Sequence, residues 1–146
     1  MFKKILVPTD GSLFSEDAAC CAVALAKEVA GQIIACYVDQ PYVPFPSQGC
    51  GNGFPVLSGF KKVKDKEAQR ILGMVENLCW REGVNCKKVT KESNVVHQAI
   101  IDAAAENGCD LICMASHGRG GARAIVLGSE TSKVLTHSKI PVLVCR

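Results

Sequence analysis

Between Met114 and Glu130 the chain reads MASHGRGGARAIVLGSE, which sets four glycines, two arginines and a histidine between an apolar run and a helix start. Glycine-rich loops that lead into helices bind anions, because backbone N–H groups point outward and the helix dipole adds positive potential. The same composition also builds ordinary turns. A second polar stretch, PTDGS at Pro8–Ser12, follows the first apolar run and supplies a carboxylate, Asp10. No GxxxxGK[S/T] occurs and no GxGxxG follows the first apolar run, so P-loop chemistry and dinucleotide binding both lose support. What remains is Gly128-Ser129, ahead of a helix whose first N–H groups lack intrahelical partners. Each polar group there also has a plain structural role open to it. Asp10 can close an Asx-turn, Ser129 can act as an N-cap, and Arg119 and Arg123 can be solvated loop charges. His117, a single loop histidine, carries no catalytic assignment.

The elements that must position these groups alternate from end to end. Apolar runs at Lys3–Pro8, Gln32–Val38, Asp110–Ala115 and Pro141–Cys145, with a more polar one at Val84–Thr90, predict five strands. Four helices are expected between them. The first runs from Ser12 to Ala30, with a Ser12 cap and Gly31 as its stop; the second carries Ala68, Ile71, Leu72, Val75, Leu78 and Cys79 at helical spacing and ends at Gly83. The third starts near Ser93 or Asn94 and stops at Asn107-Gly108, and Ser129 to about His137 forms a short fourth. Strict βαβ alternation predicts one doubly wound α/β domain over residues 1–146, a parallel sheet with helices on both faces. Ligands in such sheets bind beyond the carboxyl ends of the strands, where strand order reverses. The loops after the first and fourth strands are the glycine-rich and polar ones, so the crevice is expected between those strands. Residues 39–60 form a long Pro/Gly-rich connection of the kind found in lids, binding loops or disordered segments.

Composition narrows the partners. The 146 residues are 48% hydrophobic, enough for one core, and the formal charge of +3 is scattered, which is not the electrostatic footprint of a nucleic-acid binder. No apolar stretch approaches a membrane span. Nine cysteines, mostly in apolar segments and without CxxC or zinc spacing, together with the absence of a signal peptide, point to a reducing cytoplasm. Cys50, flanked by glycines, is the one thiol expected in a loop.

Taken together, KKILVPTDGS at the start, MASHGRGG after the fourth strand, LGSETSKVL opening the last helix and SKIPVLVCR at the end resemble the universal stress protein family over essentially the whole chain. The resemblance implies a sheet ordered 3-2-1-4-5. It also implies ATP bound through G-x2-G-x9-G-[S/T], whose frame here is Ala115, Gly118, Gly128 and Ser129. Ala115 replaces the first glycine, which costs on the order of 1 kcal/mol if that position needs positive φ and almost nothing if it does not. By the same resemblance Asp10 accepts hydrogen bonds from ribose, Pro8 and Thr9 line the site, and Val38 offers backbone groups to adenine. Met114, Ala115 and His117 then lie on the ribose and phosphate side, while Gly118, Arg119, Gly128, Ser129, Glu130 and Thr131 surround the phosphates. Glu130 fits there only if its carboxylate turns away from a triphosphate.

The function expected from this resemblance is an ATP-binding stress-response regulator, with or without Mg2+, with little or no turnover and no metal of its own. Two alternatives stand beside it: a family member that works through protein contacts without nucleotide, and a slow ATP hydrolase or Cys50-based redox protein. A homodimer through the last strand is expected, because an apolar edge strand invites pairing.

Overall fold

A computed structural model of the chain describes residues 2–41, 54–118 and 127–146. Among these residues five strands, β1 (Lys4–Pro8), β2 (Gln32–Asp39), β3 (Asn85–Glu92), β4 (Leu111–Ala115) and β5 (Val142–Cys145), alternate with four helices. The helices are α1 (Leu13–Glu28), α2 (Phe54–Glu82), α3 (Val96–Glu106) and α4 (Ser129–His137). All strand pairs are parallel and the order is β3-β2-β1-β4-β5, so order reverses between β1 and β4.

Successive strand residues face opposite sides of a sheet, and both sides of β1, β2 and β4 are covered, which is why these strands read as apolar runs. Ile5, Val7, Ile33, Ala35, Leu111 and Cys113 pack with α1 and α2 on one face. Leu6, Ile34, Cys36, Ile112 and Met114 pack with α3 and α4 on the other. Ala19, Ala22 and Ala26 are buried along α1, so that this helix approaches the sheet with little side-chain bulk between. The edge strand β3 carries Lys87, Lys88 and Lys91, and its central residues are half-buried or exposed.

Three helices end in the same way. After α2 and α3, Gly83 and Gly108 take φ of 69° and 63°, and the next residue's N–H reaches back to Cys79 and Ala104 respectively, the geometry of a Schellman motif. After α1 the left-handed residue is Ala30, at φ 49°, and not the expected Gly31. Gly31 is small for a different reason: a Cβ there would lie 3.0 Å from the Phe2 carbonyl oxygen.

Helix α2 begins at Phe54, so the last part of the Pro/Gly-rich connection 39–60 is helical. Pro55 falls in its first turn, where a missing N–H and a fixed φ carry no penalty. Among the described residues no helix is long and apolar enough to cross a membrane.

Candidate functional site

The carboxyl ends of β1, β2 and β4 open into a cavity of about 390 Å3, walled by the starts of α1, α3 and α4. It lies where the strand order reverses.

The exit of β1 is built by its own side chains. Thr9 is buried, its N–H donates to the Cys36 carbonyl at 2.9 Å, and its hydroxyl donates to Ser15 Oγ at 3.1 Å, the Ser15 hydroxyl being donated to the Ser12 carbonyl. Gly11, at φ 76°, turns the chain, after which the Ser12 N–H donates to Asp10 Oδ1 at 3.0 Å. Ser12 then caps α1, its Oγ accepting from the Ser15 N–H at 3.2 Å. The Asx-turn role open to Asp10 is therefore present, and a Cβ on Gly118 would stand 2.8 Å from Asp10 Oδ2.

The exit of β4 is built differently. The Ser116 N–H donates to the Cys145 carbonyl at 2.8 Å, and the Gly128 N–H donates to the Ser116 carbonyl at 2.7 Å, closing the loop across the described ends. Thr131 Oγ1 donates to the Ala115 carbonyl at 2.9 Å and ties α4 to the strand. His117 Nδ1 lies 3.0 Å from Ser116 Oγ, and its ring packs 5.8 Å from that of Phe14.

The N-cap position of α4 is Gly128, with Ser129 as the first helical residue and no side-chain capping bond. The N-cap role expected of Ser129 is thereby corrected by one position. A cap side chain at 128 has little room, since a Cβ there would lie 3.2 Å from the Ser116 carbonyl oxygen. The first bond within the helix is from the Ser132 N–H to the Gly128 carbonyl, so the N–H groups of Ser129, Glu130 and Thr131 have no intrahelical acceptor. All three residues line the cavity.

Glu130 does turn away. Its Oε2 accepts from the backbone N–H of His97 at 2.8 Å and lies 3.2 Å from His97 Nδ1, while Oε1 accepts from Lys133 at 2.8 Å. The carboxylate of α4 thus caps α3, whose own cap residue, Val95, makes no side-chain capping bond. Partial burial pushes the Glu130 carboxyl up, but the hydrogen bonds from Lys133 and His97 outweigh it and hold the group below the usual carboxylate range.

Ala115 ends β4 without positive φ, since Ala30 is the only described non-glycine residue that has it. Its methyl therefore carries no backbone strain. Gly118 and Gly128 likewise lack positive φ among the described glycines, so their smallness answers to space, against Asp10 and Ser116.

Pro8, Thr9, Asp10, Val38, Met114, Ala115, His117, Gly118, Gly128, Ser129, Glu130 and Thr131 all line this one cavity. Arg119, Arg123 and Cys50 lie outside the described residues. Sequence reasoning did not place Ser15, Cys36, Val96 or Ile100 there. Cys36 is two residues before Val38 on the same strand face, and Val96 and Ile100 are one turn apart on the apolar side of α3, so periodicity held the signal. Burial pushes the Cys36 thiol up to about 12, which makes it an uncharged, apolar wall. Among the described residues no group of three or more His, Cys, Asp or Glu side chains converges to hold a metal ion.

The family model described as the universal stress protein family matches residues 1–146. Universal stress protein MJ0531 of Methanocaldococcus jannaschii is 33% identical, the match covering 100% of this chain and 83% of that protein. The solved structure of MJ0577, from the same organism, is 29% identical at a TM-score of 0.74, with 99% of this chain and 95% of that one covered. A universal stress protein solved in complex with cAMP is 20% identical at a TM-score of 0.72, covering 99% and 97%.

Proposed function

Because this chain belongs to the universal stress protein family, we propose that it binds an adenine nucleotide, ATP, in the cavity between β1 and β4, as a regulatory ligand with little or no turnover. The observation that carries this is the start of α4. Three N–H groups without intrahelical acceptors stand at the positive end of a helix dipole, on the wall of a cavity of about 390 Å3. The carboxylate of that first turn, Glu130, is committed to His97 and Lys133 and does not occupy that place. The volume falls within the range of small-molecule sites.

The remaining assignments follow the chemistry of each wall. The apolar end formed by Cys36, Val38, Val96 and Ile100 receives the adenine, with the Val38 backbone beside it. Asp10 accepts from ribose hydroxyls, and Gly118, Gly128, Ser129 and Thr131 approach the phosphates through backbone N–H groups. The cAMP complex of a family member with the same fold supports an adenine nucleotide as the ligand class. Binding favours one arrangement of the cavity walls over another, which is how a ligand without turnover transmits a signal. Isothermal titration with ATP tests the proposal: saturable binding is expected, and no heat at millimolar nucleotide overturns it.

Association through β5 belongs to the same proposal. Of the two sheet edges, β3 carries three lysines, whereas β5 reads VLVC with Leu143 exposed. An uncharged apolar edge is the one that pairs. A light-scattering mass of two chains is expected, and one chain at micromolar concentration contradicts it.

A further inference from the structure

On the α1 side of the sheet, away from the cavity, two thiols meet. Cys113 of β4 and Cys145 of β5 have their Sγ atoms 3.6 Å apart, and the Cys113 thiol also lies 3.7 Å from the Ala18 carbonyl of α1. Cys113 is fully buried, Cys145 is half-buried, and the exposed Cys21 of α1 borders Cys145. We propose that Cys113 and Cys145 are a modification site, a dithiol closed to a disulfide by hydroperoxides and reopened by thiols.

Their division of labour follows from exposure. Cys145 packs on the α1 side of the sheet and not along the pairing edge of β5, so it meets the oxidant in one chain or two, and Cys113 resolves from within. The Cys145 thiolate attacks one peroxide oxygen, the O–O bond breaks, and the leaving oxygen departs as water or alcohol once protonated, giving a sulfenic acid. Cys113 sulfur then attacks Cys145 Sγ; the S–S bond forms, the S–O bond breaks, and the released hydroxide takes the Cys113 proton as water. Two thiols lose two electrons and one hydroperoxide gains them. Burial pushes both thiols up, and for Cys145 the hydrogen bond with Cys113 offsets part of that rise. Mildly alkaline solution is therefore the condition in which the reaction is followed.

Closure has a direct route to the cavity. In the strand register Cys113 faces Leu143 and Cys145 faces Ala115, so the two cysteines are diagonal neighbours. Closing the 3.6 Å gap to a bond of about 2 Å turns both side chains, and their diagonal placement puts part of the movement on the end of β5. β5 is a four-residue edge strand and yields more readily than β4, which is held on both sides. The Cys145 carbonyl accepts from the Ser116 N–H, and the Ser116 carbonyl accepts from the Gly128 N–H at the start of α4. Displacing Cys145 therefore pulls on the hydrogen-bond chain that fixes the α4 start. This does not depend on what the cavity binds.

The test uses the full chain, treated with equimolar hydrogen peroxide, alkylated, digested and mapped by mass spectrometry, with amide hydrogen exchange measured before and after. The expected product joins the peptide ending IPVLVCR to the one containing LICMA, with fragmentation assigning Cys113 and not Cys109. Dithiothreitol reverses it, Cys145→Ser abolishes it, and Cys21→Ser does not. Exchange at Ser116 and Gly128 changes several-fold on closure. Unmodified thiols, a bond joining Cys145 to Cys21, linkage confined to other cysteines, or a Cys113–Cys145 bond with unchanged exchange at both amides would each overturn the proposal. Mapping of the unsubstituted protein decides the linkage even if Cys145→Ser does not fold.

Discussion

Two helices leave the carboxyl ends of neighbouring central strands on opposite sides of the same cavity, and among the described residues only one of them has a side chain accepting from its first turn. At α1, Ser12 accepts from the Ser15 N–H of the first turn, while Thr9 and Asp10 accept from Gly11 and Ser12 just ahead of the helix. At α4 the cap residue is a glycine pressed against the Ser116 carbonyl, and among the described residues no side chain accepts from the first turn. A third start, that of α3, is met from a distance by Glu130. The helix that lends its carboxylate to a neighbour is the one left open at its own end. Closed starts serve the fold, and the open one leaves positive potential for an anion from outside.

The contrast can be broken most strongly at Ser129. A carboxylate at the first helical position favours the helix dipole but repels phosphate, so Ser129→Asp is expected to weaken ATP binding by about 2 kcal/mol, roughly thirtyfold. Its thermal midpoint stays level or rises. Calorimetry and thermal unfolding on one variant thus move in opposite directions, which simple damage to the fold does not produce.

The converse holds at the closed start. Ser12→Ala removes the α1 cap and is expected to cost about 1 kcal/mol of stability in denaturant unfolding, with ATP affinity little changed.

A smaller effect separates the start of α3 from both. Glu130 has a carboxyl pKa below its unfolded value, so its contribution is present above the ordinary carboxylate range and is withdrawn as pH falls through the lowered pKa. Glu130→Gln should lower stability near neutral pH by on the order of 0.5 kcal/mol, as expected of a partly exposed charge pair. Its stability-versus-pH curve should converge with that of the unsubstituted protein in acid. Parallel curves at all pH values would show that the carboxylate charge is not what caps α3.

The least effect is expected at Ala115. Its methyl costs no backbone strain, so Ala115→Gly should leave ATP affinity within about twofold, well under 1 kcal/mol. A large gain would mean that the methyl obstructs the ligand.

How much of this was legible in the sequence divides along the same line. Apolar runs and glycine stops located the strands and the ends of α2 and α3, because burial on both sheet faces and left-handed caps leave local marks. Loop chemistry placed the crevice between β1 and β4, and the strand order came with the family resemblance. Contacts between distant segments left weaker marks or none. Glu130 capping α3 joins residues 33 apart, and Val96 and Ile100 read only as core until the fold brings α3 to the cavity. Ala30 holds the left-handed position expected of Gly31, and Pro55, within the 39–60 connection, falls in the first turn of a helix.

The open start of α4 is tested most directly by following backbone amide resonances through an ATP titration. Ser129, Glu130 and Thr131 are expected to shift saturably and together, while Leu13, Phe14 and Ser15 at the closed start of α1 move little. Saturable binding with unmoved α4 amides, or shifts confined to α1, would contradict the account.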